Sequence, residues 1–149
     1  MKQYQLAQLN IAKLSHPIDS PELTDFVANL DRINALAEET NGFVWRYKVE
    51  VGDTLESEIF GDNHIVNMSV WDNNEALHHY VYFTAHVEIM SRKKEWFEHM
   101  RENHMVQWWV PAGHKPSLHE AKQKLNQLRE NGPTPLAFTF KKAYSSPEE

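Results

Sequence analysis

Segments with the two-residue period of a strand alternate along this chain with segments of helical period, in the order β, α, β, β, α, β. The strand-like segments are residues 4–12, 43–49, 64–71 and 104–110. Elements in this order are typical of the split βαβ, or ferredoxin-like, arrangement. We therefore expect an α+β fold with a ferredoxin-like antiparallel sheet.

Capping residues indicate where the long helical segments begin and end. The first helix is expected to start at Ser20-Pro21, with proline at its first position, and to end near residues 41–42. Asp72 or Asn73 caps the second helix, for which we expect a break near Phe83 before a further helical segment.

The stretches around these elements are less regular. Residues 50–63 carry acidic side chains and no Lys or Arg, which favours an exposed loop or an irregular hairpin arm. Ser117 and Glu120 form a capping box for a last helix that ends at residues 132–133. Residues 136–140 could add a short edge strand.

Length and composition set the outer bounds of function. A chain of 149 residues with 41% hydrophobic content fits one domain, expected over residues 1–142, with a disordered tail at 143–149. The absence of cysteine excludes disulfides and cysteine nucleophiles. No apolar run approaches the roughly 20 residues that span a bilayer, so we expect a cytoplasmic protein that contacts no membrane. A net charge of -6 argues against nucleic-acid binding.

A ferredoxin-like sheet carries its helices on one face, so something else must cover the other face. In a chain of this size the simplest cover is a second copy packed sheet to sheet. We therefore expect a homodimer.

Several sequence blocks resemble the signature of a bacterial family of unknown function, number 3291, in the dimeric α/β-barrel superfamily. They are LAQLNI at residues 6–11, GFVWR at 42–46, NMSVW at 67–71, EWF at 95–97 and WWVPAGH at 108–114. The resemblance extends to Phe140 and implies a dimeric α/β barrel. It brings no established activity.

The wider superfamily includes cofactor-free antibiotic-biosynthesis monooxygenases and haem-degrading monooxygenases. VWDNNEAL at residues 70–77 is similar to their strand-to-helix junction. The haem-degrading branch uses an Asn on the first strand, a Trp on this helix and a His further along. By this resemblance Asn10 matches the Asn, Tyr80 stands where the Trp would be, and His86 falls one turn before the His.

His86 and Asn10 are the candidate catalytic residues. His86 shares a helical face with Met90 and Phe97, so its imidazole is expected to point inward as a base, an axial ligand or a hydrogen-bonded core residue. Asn10 could orient a ligand or only bridge neighbouring backbone groups. Both interpretations stay open for each residue.

The candidate ligand-binding residues are aromatic or polar side chains near the expected sheet. Asn67, Ser69 and Trp71 share one strand face, which must meet a pocket or a partner. Tryptophans give a cavity flat walls, although in small domains most belong to the core. The full set is Trp45, Asn67, Trp71, Tyr80, Trp109 and His114. We expect no metal site, because His99 and His104 lack the spacing of a helical zinc pair.

Three functions follow from these observations. The first is a small-molecule-binding protein, with a cofactor-independent monooxygenase acting on a small apolar or aromatic compound as its enzymatic form. In that form His86 is the base and Asn10 holds the developing charge. The second is a haem-binding protein in which His86 ligates iron and Tyr80, Trp71 and Trp109 frame the macrocycle. The third is a non-catalytic dimer that acts through protein contacts.

Overall fold

The computed structural model describes residues 3–48, 54–84 and 86–147, and in this part the chain forms one antiparallel sheet with helices on both of its faces. The elements in chain order are β1 (Tyr4–Lys13), α1 (Thr24–Glu39), β2 (Phe43–Arg46), α2 (Leu55–Phe60), β3 (His64–Trp71), α3 (Asn74–Phe83), α4 (His86–Ser91), α5 (Lys93–Trp96), β4 (Met105–Pro111) and α6 (Leu118–Asn131).

The sheet has the strand order β2-β3-β1-β4. Strand β1 lies inside it and pairs antiparallel with both β3 and β4, so that Gln8 stands opposite Ser69 on one side and Gln107 on the other. The predicted α+β, ferredoxin-like fold with an antiparallel sheet is confirmed.

Two of the predicted caps are present. The side chain of Asn73 accepts a hydrogen bond from the Ala76 amide at 2.8 Å and begins α3. The Ser117 hydroxyl accepts one from the Glu120 amide at 3.1 Å and begins α6. Each bond satisfies a backbone donor that the first helical turn leaves free.

Two predicted elements differ in the structure. The acidic stretch at residues 50–63 contains the helix α2, whose Phe60 is buried, while residues 49–53 lie outside the described part. The predicted strand at 136–140 is reduced to a single bridge between Phe138 and Gln107. A tight turn closed by two backbone bonds between Thr134 and Ala137 leaves too little extended chain for a longer ladder.

One face of the sheet, here called the α6 face, packs against α2 and α6. The core on this side joins the buried strand residues Ala7, Leu9, Ile11, Met68, Val70, Val106, Trp108 and Val110 to Phe60, Leu118, Ala121, Leu125 and Leu128. The homodimer was expected because this face would be bare. That premise is wrong, since the amphipathic helix α6 of the same chain covers it.

The other face, here called the α1/α3 face, has an apolar cluster at each end. The Trp71 cluster comprises Leu6, Ile33, Ala37, Trp71, Leu77, Tyr80, Val81 and Phe138. The Trp96 cluster comprises Leu14, Leu23, Phe26 and Trp96. Between the two clusters the strands present polar side chains.

The segment predicted as a disordered tail contains packed residues. Tyr144 packs against the Trp71 cluster and its carbonyl oxygen accepts a hydrogen bond from the Trp109 indole at 2.8 Å. Ser146 is also buried. Within the described ranges, the helices lack the length and apolar character needed to cross a membrane.

Candidate functional site

A band of polar side chains crosses the α1/α3 face between its two apolar clusters. It is here called the polar band and consists of Gln8, Asn10, Arg46, Asn67, Ser69 and Gln107. Strand pairing aligns these residues in two rows, with Arg46, Ser69, Gln8 and Gln107 in one row and Asn67 beside Asn10 in the next. Interior polar groups on a covered sheet face must be hydrogen-bonded to avoid a desolvation cost.

The centre of the band is hydrogen-bonded internally. The Gln8 amide nitrogen donates to the Asn67 side-chain oxygen at 2.7 Å and to the Ser69 hydroxyl oxygen at 2.8 Å. The Trp71 indole N–H donates to the same Ser69 oxygen at 2.8 Å. These bonds fix the Gln8 side chain and connect the band to the Trp71 cluster.

Gln107 closes the band at β4. It is fully buried, and its side-chain oxygen accepts a hydrogen bond from the Asn74 amide at 2.8 Å. Its amide nitrogen Nε2 is buried without a hydrogen-bond partner among the described residues. Such a donor is uncommon in a folded protein, because burying it without a partner costs desolvation free energy.

The band opens to solvent at its second row. Asn67 lies on an inner strand, yet its side chain is exposed, and neighbouring Asn10 is half-buried. The Asn10 side-chain oxygen lies 3.3 Å from Nδ1 of His104. His104 also lines a surface pocket of about 320 Å³, whose other lining residues are Met100, Arg101, Glu102, Asn103, Met105 and Thr139.

The surroundings of His104 favour the neutral form of its imidazole. Desolvation of the ring lowers the pKa of His104, and the positive charges of Lys93 and Arg129 lower it further. The Asn10 oxygen facing Nδ1 fits the tautomer that carries its proton there. The lone pair on Nε2 is then available to accept a hydrogen bond or a proton.

Three of the predicted aromatic residues lie together at the closed end of the band. Trp71 and Tyr80 stack with ring centroids 5.2 Å apart, and the Tyr80 hydroxyl donates to the Ile33 carbonyl at 3.3 Å. Burial raises the pKa of Tyr80 to about 12. Trp109 packs on the same cluster.

This stacking bears on the haem alternative. A macrocycle framed by Trp71, Tyr80 and Trp109 needs a gap between the rings, and here Trp71 and Tyr80 are in direct contact. The rings present at this end of the band therefore do not fit a haem without moving apart.

Trp45 and His114 lie away from the band. Trp45 stands opposite Val70 and packs on the α6 face. His114 Nε2 lies 2.7 Å from a Glu120 carboxylate oxygen, and the other oxygen accepts a hydrogen bond from the Trp108 indole at 2.9 Å. The structure thus brings Asn10 and Asn67 together and leaves Trp45 and His114 elsewhere.

The backbone of His86 begins α4, which packs against α1 and α3, so the residue belongs to the helix layer over the polar band. Its side chain lies outside the described part. Its role as a base stays a prediction.

A second pocket of about 530 Å³ lies where α1 ends and α3 begins, and its lining residues are Glu39, Thr40, Asn41, Asn73, Glu75, Ala76 and His79. None of them was predicted as a site residue. The Asn73 side chain is already used as the cap of α3. Within the described part of the chain, groups of three or more His, Asp or Glu suited to a metal ion are absent.

Sequence reasoning missed Gln8, Gln107 and His104. Gln8 shares a strand face with Leu6 and Asn10, so the sequence predicts the side of β1 on which it lies. Its hydrogen-bond partners depend on the pairing of β1 with β3 and could not be predicted. His104 meets Asn10 across 94 residues of chain. No local pattern encodes that contact.

The strand order, the helices and the polar band define this protein as a ferredoxin-like α+β domain with a hydrogen-bonding surface on one sheet face. The model of the family described as Domain of unknown function (DUF3291) matches residues 5–149, and the chain belongs to this family. The family resemblance predicted from the sequence is confirmed. No curated protein matches the chain significantly.

Several solved structures are similar to this chain at low identity. A protein of unknown function from Nitrosomonas europaea has a TM-score of 0.49 at 14% identity, over 77% of this chain and 97% of that one. SnoaB, a cofactor-independent oxygenase from Streptomyces nogalater, has a TM-score of 0.45 at 14% identity, over 78% and 98%. A dabb family protein with a ferredoxin-like fold from Mesorhizobium loti has a TM-score of 0.46 at 16% identity, over 74% and 100%.

Proposed function

We propose that this protein binds a small molecule at the open end of the polar band, where Asn10, Asn67 and His104 meet. One observation carries the proposal: Asn67 and Asn10 lie on inner strands of a helix-covered face, yet the helices leave them within reach of solvent. Small-molecule sites commonly combine apolar walls with a few convergent polar groups of this kind.

The open end has hydrogen-bonding capacity left for a ligand. Asn67 uses its side-chain oxygen to accept from Gln8, and its amide nitrogen has no partner among the described residues. His104, which lies next to Asn10, offers an acceptor nitrogen when its ring is neutral. A ligand with one acceptor and one donor group would satisfy both.

The third function predicted from the sequence, a non-catalytic dimer, requires these side chains to be packed without a void. Trp71 and Tyr80 do pack in that way. Asn67 is exposed and His104 lines a pocket, which favours binding at this end of the band over a purely structural role.

In its enzymatic form, the proposed small-molecule-binding protein is a cofactor-independent oxygenase that acts on a small apolar or aromatic compound. The resemblance of residues 70–77 to oxygenase junctions supports it, together with the contact between an amide and a neutral imidazole. The imidazole would take a proton from a substrate CH₂ group, and the Asn10 amide would donate to the oxygen on which charge develops. Dioxygen would supply the new carbonyl oxygen, and its second atom would leave in water.

Binding is tested by a thermal-shift screen of small neutral and charged compounds against three proteins. Compounds that stabilise the wild type should bind about 3- to 10-fold more weakly to Asn67→Ala, which loses one hydrogen bond to the ligand. Asn126→Ala, an exposed asparagine on α6, is the matched control and should behave as the wild type. Compounds that bind both variants equally well would place the site elsewhere.

The oxygenase form is tested by oxygen uptake with those binding compounds that carry a CH₂ group between aromatic or carbonyl groups. His104→Gln and His86→Gln separate the histidine placed by the structure from the one predicted by the sequence. Loss of uptake in one variant with retained binding identifies the base. Uptake that survives in both variants would remove the proposed chemistry and leave binding intact.

A further inference from the structure

The pocket beside His104 carries an excess of positive charge in an acidic protein. Arg101 and Glu102 line the pocket with opposite charges. The cations Lys93 and Arg129 are close enough to act electrostatically on the His104 ring, which also lines the pocket. The chain as a whole has a net charge of -6. A cationic pocket on such a chain is a local feature that needs its own explanation.

The nearby acidic groups are already paired. Glu102 lies 3.1 Å from the guanidinium of Arg129, and Glu98 lies 3.3 Å from the ammonium of Lys13. Within the described residues, Lys93 and Arg101 have no carboxylate within ion-pair distance. The positive charge that these two residues place around the pocket is therefore not neutralised by the protein.

The pocket also has an apolar side. Met100 and Met105 both line it, and Met100 packs against the core of the α6 face. Methionine side chains adapt their shape to flat or irregular apolar groups. The pocket volume of about 320 Å³ is at the lower end of the range for small-molecule sites.

We infer that this pocket binds a small organic carboxylate, with its anionic group toward Lys93, Arg101 and His104 and its apolar part against Met100 and Met105. The inference rests on the proposed function, since it names the class of ligand at the open end of the polar band. It goes further in assigning a charge to that ligand.

Binding is expected to take up a proton at His104. Burial lowers the pKa of His104, and the cations Lys93 and Arg129 lower it further. A carboxylate beside the ring would counter the effect of the two cations and stabilise the imidazolium. At a pH below the ordinary histidine pKa of about 6.5, we therefore expect the His104 ring to gain a proton when the ligand binds. His99 is the other histidine near the ring, and Glu102 and Glu98 are the acidic groups on this side.

The experiment is calorimetric titration of the whole protein with benzoate and with its neutral isostere benzamide, at pH 5.5 and pH 7.5. Benzoate should bind more tightly at the lower pH, with a heat that depends on the buffer because protons are taken up. Benzamide should bind at least about 10-fold more weakly at pH 5.5, because it lacks the charge that the cations recognise.

Variants separate the groups involved. Lys93→Gln should weaken benzoate binding about 3- to 10-fold, whereas Lys115→Gln, an exposed lysine beyond the far end of β4, removes the same charge and should have no effect. His104→Gln should keep weak binding and lose its pH dependence, and His99→Gln should keep that dependence.

Equal binding of benzoate and benzamide, or equal effects of Lys93→Gln and Lys115→Gln, would overturn the inference. If neutral compounds bind in an Asn67-dependent way and benzoate does not bind, the carboxylate assignment fails and the proposed function stands. If no compound of either kind binds, both fail.

Discussion

At the scale of single residues, Ser69 holds the polar band to the Trp71 cluster. Its hydroxyl oxygen is buried and accepts hydrogen bonds from Gln8 and from the Trp71 indole. Ser69→Ala removes this acceptor and leaves a buried indole N–H without a partner. We expect a loss of about 1–3 kcal/mol in the free energy of unfolding, measured by urea denaturation.

A double-mutant cycle separates the hydrogen bond from the change in packing. In a Trp71→Phe background the indole donor is absent, so Ser69→Ala should cost about 1 kcal/mol less than in the wild type. Equal costs in both backgrounds would show that the indole bond contributes nothing to stability.

The candidate site was only partly predictable at this scale. The alternation of residues in β1 and β3 predicted which strand faces carry Asn10 and Asn67, and the structure sets these two residues side by side. The partner of Asn10 could not be predicted, because His104 lies just before β4 and reaches Asn10 only through strand pairing.

At the scale of elements, Gly42 joins the α1–β2 turn to the start of α3. Its φ of +92° lies in the left-handed region, and a Cβ built on it would collide with the side chain of Ala76. The Gly42 carbonyl also accepts a hydrogen bond from the Asp72 amide at 2.7 Å. The turn and the helix therefore approach too closely for any side chain at this position.

Gly42→Ala should be clearly more destabilising than Gly113→Ala. Both glycines have nearly the same positive φ, so both changes carry a backbone cost of about 1–2 kcal/mol, but Gly113 has open space where a Cβ would stand. The clash at Gly42 should add about 1–3 kcal/mol. Thermal or urea unfolding of the two variants measures the difference.

Removing the colliding methyl group provides the control. The double variant Gly42→Ala with Ala76→Gly should be more stable than the sum of the single changes predicts. Strict additivity would mean that the contact with Ala76 is not the cause of the extra loss.

Caps and apolar periodicity located α3 and α6 in the sequence. The first helix was located by its apolar stripe, but its start was predicted too early, because Pro21–Leu23 forms a separate 3-10 turn and α1 begins at Thr24. The helix α2 was missed, since six residues in an acidic stretch give too short a periodic signal. The helical segment expected to reach Phe97 is divided into α4 and α5 and ends at Trp96. Phe97 leaves the helical path because its backbone bridges to Leu14, and the sequence does not encode that long-range pairing.

At the scale of the whole molecule, the position of α6 changes how the sheet is completed. An amphipathic stripe in the sequence shows that α6 buries one side, but not which surface it covers. In the structure it covers the face that a second copy was expected to occupy. A homodimer of this chain thus remains a proposal that needs a different contact surface.

The same arrangement leaves a polar opening in the middle of the α1/α3 face. Its two ends are closed by the Trp71 and Trp96 clusters, and its middle is left to polar residues that reach solvent at Asn67. We therefore expect a small molecule to bind at this opening, and not at the surfaces around Trp45 or His114.

The most direct test is an NMR titration of the isotope-labelled protein with the tightest-binding compound from the thermal-shift screen. We expect saturable shifts of the NMR signals of the Asn10 and Asn67 side-chain amides and of the His104 ring, and no shift of the Asn126 signals. Saturable shifts centred on Trp45, His114 or the pocket near Asn73, with the polar band unchanged, would contradict this expectation.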